Sequence, residues 1–226
     1  MCISVYVKIC GIREPEHAAL AARLGARAIG VVMSPGSPRD ASPETASLVI
    51  QAARAASPTV ETVLVVDQMP AEQAARMARD LGFDVLQLHG GYERSDFELA
   101  ETIHPRVWRA TSLARDREVH AGDHGEERLL IDGAVPGSGE TWDLSTADPE
   151  RLGSNWLLAG GLSPDNVGAA VRAAHPAGVD VSSGVESIRG EKNPELIERF
   201  IVAALAAAAA AAPIRDDGAT GRIEAH

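Results

Sequence analysis

The 226-residue sequence predicts an α/β fold, a single (β/α)8 TIM barrel with a parallel eight-stranded sheet. Three observations favour this fold. About eight short strands alternate with helical segments along the chain. The length suits one barrel domain better than two small domains. Hydrophobic residues make up 45% of the chain, which is enough for a large core without disulfides.

The predicted strands are short runs of branched apolar residues, each bounded by glycine, proline or polar turn residues. In chain order they cover Val5–Ile9, Ala28–Val32, Val60–Val66, Val85–Leu88, Val107–Ala110, Leu129–Ile131, Trp156–Ala159 and Val179–Val181.

The predicted helices follow the strands, and several begin at a proline, which is favoured in the first helical turn. In chain order they cover Pro15–Leu24, Pro43–Ala55, Pro70–Leu81, Glu93–Ile103, a weak helix at Ala114–Ala121, Pro164–Ala174 and Pro194–Ala212. Ser42 and Ser163 are the expected N-caps of two of them, and Gly25 and Gly82 are expected to end two others.

The C-terminal segment divides the chain into a barrel domain and a tail. The alanine run Ala206–Ala212 extends the last helix, because alanine has the highest helix propensity, and Pro213 ends it. We therefore predict a catalytic barrel domain over residues 1–212 and a disordered C-terminal tail over residues 213–226.

Composition excludes several classes of function. A net charge of −11 argues against nucleic-acid binding, which needs a basic surface. Cys2 and Cys10 form no CxxC or Cys/His cluster, so we predict no disulfide, metal or cofactor. No apolar run reaches the roughly 18 residues of a membrane span, and no signal peptide is recognisable, which favours a cytoplasmic protein. We expect a small-molecule substrate and a monomer or homodimer.

The first strand ends with a lysine and a cysteine that share one face. In a (β/α)8 barrel the active site lies at the carboxyl ends of the strands. Alternation predicts that Lys8 and Cys10 point into the barrel while Ile9 points outward. The Lys8 ammonium is expected to lower the pKa of the Cys10 thiol and favour a reactive thiolate. A buried, inert cysteine is the alternative interpretation.

Polar side chains also end the fourth and sixth strands. Asp132 ends an apolar strand before the glycine-rich loop Gly133–Gly139 and is a candidate general acid, although it could instead form an Asx turn. Gln87 and His89 share a face and could contact a ligand, but a strand-end histidine can equally be a structural hydrogen-bonding residue.

Small residues follow the seventh and eighth strands, where barrels of this kind usually hold phosphate. Gly160 and Gly161 follow one strand, and Ser182, Ser183 and Gly184 follow the other. Backbone N–H groups in such loops can bind an anion without net positive charge. Taken alone, each of these two short segments also fits an ordinary turn.

Six motifs together make the chain resemble the phosphoribosylanthranilate isomerases of tryptophan biosynthesis. They occur in that family's order and extend from about Val7 to the final helix. They are VKICGI at residues 7–12, SPR at 37–39, QLHG at 87–90, GSG at 137–139, AGGL at 159–162 and VDVSSGVE at 179–186.

The resemblance implies an Amadori rearrangement of an N-phosphoribosyl aromatic amine into a 1-amino-1-deoxy-ketose. Asp132 would protonate the furanose ring oxygen and open the ring to an imine. Cys10, as the general base, would then remove the proton from the sugar C2.

The same resemblance implies the binding residues. Arg39 would clamp the anthranilate carboxylate, since a guanidinium binds carboxylates bidentately. Asp180 would contact the substrate amine or the ribose. The remaining implied residues are Gln87 and His89 for the substrate, Gly160, Gly161, Ser182, Ser183 and Gly184 for the phosphate, and Lys8, Gly137 and Gly139 in support.

Two alternative functions remain open at this point. A sister barrel enzyme of histidine biosynthesis performs the same rearrangement, but it uses an aspartate where this chain has Cys10. A non-catalytic, phosphate-binding paralogue is favoured only by Glu140, which stands where the family commonly has a lysine.

Overall fold

The computed structural model describes residues 5–132 and 149–211 and contains the predicted closed barrel. Eight parallel strands pair in chain order from β1 to β8, and β1 also pairs with β8 to close the sheet. The register places Tyr6 opposite Gly178 and Lys8 opposite Asp180. The carboxyl ends of all eight strands therefore meet at one end of the barrel.

The element bounds agree with the predicted strands to within a few residues. The strands are β1 Tyr6–Cys10, β2 Ala28–Val32, β3 Glu61–Asp67, β4 Val85–His89, β5 Val107–Ser112, β6 Arg128–Asp132, β7 Trp156–Leu158 and β8 Gly178–Val181. The helices are α1 Pro15–Arg23, α2 Pro43–Ala56, α3 Ala71–Leu81, α4 Arg94–Glu101, α5 Pro149–Leu152, α6 Val167–Ala174 and α7 Pro194–Ala211.

Strand alternation divides the core into two parts. On β1, Val7 and Ile9 are fully buried in the layer between the sheet and the helices. Lys8 and Cys10 face the inside of the barrel, and Cys10 packs there with small and medium apolar side chains. The predicted inward direction of Lys8 and Cys10 is therefore confirmed.

Several predicted helix ends are confirmed by their local geometry. The Ser42 Oγ accepts a 3.2 Å hydrogen bond from the Thr45 N–H and so caps α2. Gly82 ends α3 in the left-handed conformation at φ 76°, which a glycine adopts without strain. The alanine run continues α7 as far as Ala211.

The weak helix predicted at Ala114–Ala121 is wrong, because residues 113–120 contain short turns and no helix. The segment contains four consecutive charged residues, 115–118, and offers no apolar stripe that could pack on the sheet. Asp116 instead accepts a 2.7 Å hydrogen bond from Arg109, and only Val119 in this segment is buried. Strand β5 therefore leads to β6 without a helix.

The predicted start of the sixth helix at Pro164, with Ser163 as its cap, is also wrong. Helix α6 begins at Val167. The Asn166 side chain accepts from the Ser163 N–H at 2.7 Å and donates to the Gly161 carbonyl at 2.8 Å. These two bonds fold residues 163–166 into a turn, so that the helix starts one turn later.

Two elements after the last barrel strand were not predicted. A 3-10 turn at Ser183–Val185 leads into a small antiparallel hairpin, β9 Glu186–Ile188 and β10 Glu191–Lys192. The predicted tail at residues 213–226 lies outside the described residues. Within the described part of the chain, no helix is long and apolar enough to cross a membrane.

Candidate active site

A cavity of about 780 Å³, lined by both polar and apolar side chains, lies at the carboxyl ends of the barrel strands. It receives residues from β1, β4, β6 and β8 and from the loops that follow β2 and β7. Ten of the residues predicted from the sequence line it: Cys10, Arg39, Gln87, His89, Asp132, Gly160, Gly161, Asp180, Ser182 and Ser183.

The predicted supporting lysine, Lys8, lies directly beneath this cavity and is completely buried. Its Nζ donates a 2.8 Å hydrogen bond to Asp180 Oδ1 on the neighbouring strand β8. Burial is the largest influence and lowers the pKa of Lys8, but Asp180 and Cys10 together outweigh it, and the pKa is raised. A charged lysine is therefore held below Cys10, with its charge balanced by Asp180.

The expected lowering of the Cys10 pKa is not what the structure shows. Burial is the largest influence and raises the pKa of the thiol. Lys8 opposes this increase, but Asp180 adds to it, and the net direction is upward. The position of the Lys8 ammonium near Cys10 was predicted correctly from strand alternation. The deep burial of the thiol and the nearby Asp180 carboxylate, which both raise its pKa, follow only from the folded barrel.

Gly30 on β2 makes room for the cysteine, and the sequence analysis did not single it out. A Cβ at this position would lie 2.9 Å from the Cys10 Sγ and 3.3 Å from the Lys8 Cε. A glycine inside an otherwise branched strand often marks such a close approach. That signal was present in the sequence Ala28–Val32.

The β4 residues Gln87 and His89 reach the same cavity from the opposite wall. Gln87 is 2% exposed, and its Oε1 has no hydrogen-bond partner within the described residues. A buried acceptor without a partner is costly. The residue itself forms part of the cavity wall.

The two glycines after β7 adopt conformations that other residues rarely take. Gly160 has φ 81° and Gly161 has φ 66°, and both line the cavity. Gly184, predicted with them, packs instead against the neighbouring loop, since a Cβ there would overlap the Leu162 carbonyl oxygen. Gly184 thus lets the loops after β7 and β8 pack together.

Arg39 reaches the cavity from the loop after β2, and its stem passes over the glycine that follows Cys10. A Cβ at Gly11 would lie 2.5 Å from the Arg39 Cδ, so the glycine leaves room for the stem. The guanidinium makes a bidentate ion pair with Glu186, with Nε–Oε1 at 2.6 Å and Nη2–Oε2 at 2.8 Å.

Glu186 and Lys192 form a charged group beside the cavity, and the sequence analysis gave neither of them a role. Lys192 Nζ donates to Glu186 Oε1 at 2.7 Å, and both side chains are almost fully buried. Glu186 belongs to the VDVSSGVE motif. Its partner Arg39 lies on the loop after β2 and its partner Lys192 on β10, and no local sequence pattern predicts that these three residues meet.

Three predicted residues of the loop after β6, Gly137, Gly139 and Glu140, lie outside the described residues. Asp132, immediately before that loop, ends β6 and lines the cavity. Across residues 5–132 and 149–211, no cluster of three His, Cys, Asp or Glu side chains is arranged to hold a metal ion.

The fold and the cavity define the class of protein: a (β/α)8-barrel enzyme whose cavity lies at the carboxyl ends of the strands. A family model described as N-(5'-phosphoribosyl)anthranilate (PRA) isomerase matches residues 7–203. The chain belongs to this isomerase family.

Relatives agree with that assignment. The N-(5'-phosphoribosyl)anthranilate isomerase of Hyphomonas neptunium is 38% identical over 210 residues, covering 88% of this chain and 97% of the relative. The crystal structure of TrpF from Jonesia denitrificans is 44% identical with a TM-score of 0.81, covering 89% of this chain and 97% of that chain.

A third comparison includes a ligand. A phosphoribosyl anthranilate isomerase structure in complex with reduced 1-(o-carboxyphenylamino)-1-deoxyribulose 5-phosphate is 32% identical, with a TM-score of 0.72, covering 88% of this chain and 98% of that chain. The comparisons favour neither the histidine-pathway enzyme nor the non-catalytic paralogue.

Proposed function

We propose that this chain converts N-(5'-phosphoribosyl)anthranilate into 1-(2-carboxyphenylamino)-1-deoxyribulose 5-phosphate, with Asp132 as the general acid and Cys10 as the general base. One observation carries the assignment of roles. In a chain of this isomerase family, the two candidate residues end strands β1 and β6 and line one cavity. An acid and a base acting on one small substrate must share one cavity.

The first step opens the sugar ring. The Asp132 carboxyl donates its proton to the furanose ring oxygen as the bond between that oxygen and C1 breaks. The lone pair of the anthranilate nitrogen forms a C=N double bond to C1, giving a protonated imine. This step needs a proton donor and no change of oxidation state by an external partner.

The second step moves the double bond. The Cys10 thiolate removes the proton from C2, and the electrons of that C–H bond form the C1=C2 bond while the nitrogen recovers its lone pair. The resulting enolamine tautomerises to the ketone at C2. Because burial raises the pKa of Cys10, this step is favoured as the pH increases.

The two anionic groups of the substrate have candidate partners around the cavity. We assign the anthranilate carboxylate to Arg39 and the phosphate to the loops after β7 and β8, where Gly160, Gly161 and Ser183 expose backbone close to the cavity. Ser182 and Gly184 shape these loops. The reacting C1 and C2 would then lie near Cys10.

Three polar side chains remain for the middle of the substrate. Gln87 lines the cavity, and its amide can both donate and accept hydrogen bonds, which suits a sugar hydroxyl or the amine N–H. His89 lies two residues further along the same strand. Asp180 uses one oxygen for Lys8 and lines the cavity, which suits a contact to the amine or the ribose.

A cytoplasmic location and a monomeric or homodimeric state belong to the same proposal. A reducing compartment suits the free thiol of Cys10, which the proposed base requires. Sedimentation of the purified chain would decide between a monomer and a homodimer.

The direct experiment is an assay of the purified protein with N-(5'-phosphoribosyl)anthranilate. We expect the anthranilate-type fluorescence to decay with multiple turnovers, without added metal or cofactor. A folded protein that binds the compound but never converts it would contradict the proposal and favour the non-catalytic paralogue. The phosphoribosyl-aminoimidazole substrate of the histidine-pathway barrel serves as the control and should be converted far more slowly.

A further inference from the structure

A guanidinium group has two edges that can each hold a carboxylate. Its five N–H donors lie in one plane, so that Nε and Nη2 form one edge while Nη1 and Nη2 form the other. In Arg39, Glu186 occupies the first edge through both of its oxygens, at 2.6 Å and 2.8 Å. Among residues 5–132 and 149–211, no ion pair occupies the second edge, which can hold another carboxylate.

Glu186 is itself fixed in place. Its side chain is 3% exposed, and it accepts hydrogen bonds from Lys192 Nζ at 2.7 Å and from the Gly190 N–H at 3.0 Å. Burial alone would raise its pKa, but the bonds from Arg39, Gly190 and Lys192 outweigh burial and lower the pKa to about 2. Glu186 is therefore ionised at any physiological pH.

The same group connects to the strand that carries the proposed base. Lys192 Nζ also donates to the Ser182 carbonyl at 2.9 Å, and the Ser182 Oγ donates to the Cys10 carbonyl at 3.1 Å. Short contacts between buried and partly buried groups form the path Arg39–Glu186–Lys192–Ser182–Cys10. It sets the position of the guanidinium relative to Cys10.

We propose that Glu186 is a positioning residue that holds one edge of Arg39 and so presents the other edge to the carboxylate of the substrate. A long arginine side chain on a loop has many rotamers, and fixing it before binding removes that entropy cost from the association step. Glu186 thereby makes the enzyme selective for a substrate with a carboxylate. The inference rests on the role assigned to Arg39 in the proposed function.

The primary test is steady-state kinetics of Glu186→Gln. The amide keeps the size of the side chain but removes the charge and one of the two acceptors that Arg39 uses. We expect KM for N-(5'-phosphoribosyl)anthranilate to rise at least about tenfold while kcat changes less than about threefold, because binding lost equally in ground and transition states appears in KM. Inhibition by ribose 5-phosphate, which has no carboxylate, should be unchanged.

A double-mutant cycle shows whether Glu186 acts through Arg39. In the Arg39→Ala background, Glu186→Gln should raise KM no further, because Glu186 affects substrate binding only through the Arg39 guanidinium, which this background lacks. The matched control is Glu127→Gln, which removes the charge from another bidentate arginine pair, Arg106–Glu127, with both distances at 2.7 Å. That pair lies at the opposite end of the barrel, and KM and kcat should stay at the wild-type values.

The outcomes separate the two proposals. If the wild-type protein does not convert the substrate, the proposed function fails. If the wild type is active but Glu186→Gln leaves KM unchanged, lowers kcat alone, or raises KM equally in the Arg39→Ala background, the positioning role is wrong. Should Glu186→Gln fail to fold, Glu186→Asp retains the charge on a shorter side chain. It should also raise KM, and an unchanged KM there would overturn the inference.

Discussion

The two ends of the barrel interior are filled by different kinds of side chain. At the amino ends of the strands, the rings of Tyr6 and Trp108 pack edge to face with centroids 5.9 Å apart. The Arg128 guanidinium lies 4.1 Å from the centroid of Tyr6 and 4.8 Å from that of Trp108. The Tyr6 hydroxyl donates to Glu61. Large rings and paired charges close this end.

At the carboxyl ends of the strands, the interior positions hold small residues. Here the interior is lined by Gly30, Cys10 and Ala159, whereas bulky side chains such as Trp108 fill the interior nearer the amino ends of the strands. The polar groups Gln87 and Asp180 face the space that remains. The comparison shows that the size of the interior side chains differs between the two ends of the barrel. Large side chains fill the amino end and stabilise the fold, whereas small ones at the carboxyl end leave space for the active site.

The largest expected effect lies at the filled end. Trp108→Ala removes a fully buried ring and leaves a cavity, which costs about 3–5 kcal/mol of unfolding free energy. In a chain of this length we expect Tm to fall by roughly 10 °C in calorimetry. The folded fraction should keep its kcat, because Trp108 does not line the active-site cavity. A large loss of kcat with an unchanged Tm would contradict the claim that the amino end of the barrel stabilises the fold and takes no part in catalysis.

At the open end, Asp132→Asn should change the chemistry and leave the fold intact. An amide cannot donate the proton that opens the ring, so we expect kcat to fall at least about 10²-fold, the usual loss for a general acid. KM and Tm should stay near the wild-type values. The measurement is the initial rate by fluorescence, with thermal unfolding of the same sample as the control.

The pH dependence of kcat/KM provides a smaller and finer test. Since burial raises the pKa of Cys10, the reactive thiolate is the minor form at neutral pH, and its fraction grows as the pH increases. Because the mechanism also needs a protonated Asp132, the test uses Asp132→Asn, in which this acid no longer titrates. We expect the residual kcat/KM of this variant to rise from pH 7 to pH 9, by at most about tenfold per pH unit. A plateau already reached at neutral pH in this variant would show that the thiol pKa is not raised.

Much of the fold and the site followed from local patterns. Strand alternation placed Lys8 and Cys10 inside the barrel, and the strand ends brought Gln87, Asp132 and Asp180 to one cavity. These predictions succeeded because the period of a strand and the parallel arrangement of the barrel determine where a side chain points.

Other features depend on contacts between distant segments and could not be predicted. The Arg39–Glu186 pair joins residues 147 positions apart in the sequence. The raised pKa of Cys10 comes from its depth in the folded barrel. Each of these is a property of packing, which no single stretch of sequence encodes.

The most direct test of the account is the kinetics of Cys10→Ser, because the hydroxyl keeps the shape of the thiol but ionises far less readily. We predict that kcat falls at least about 10²-fold while KM, Tm and the inhibition by ribose 5-phosphate remain near the wild-type values. Turnover by Cys10→Ser close to that of the wild type would mean that another residue is the base and would contradict the account.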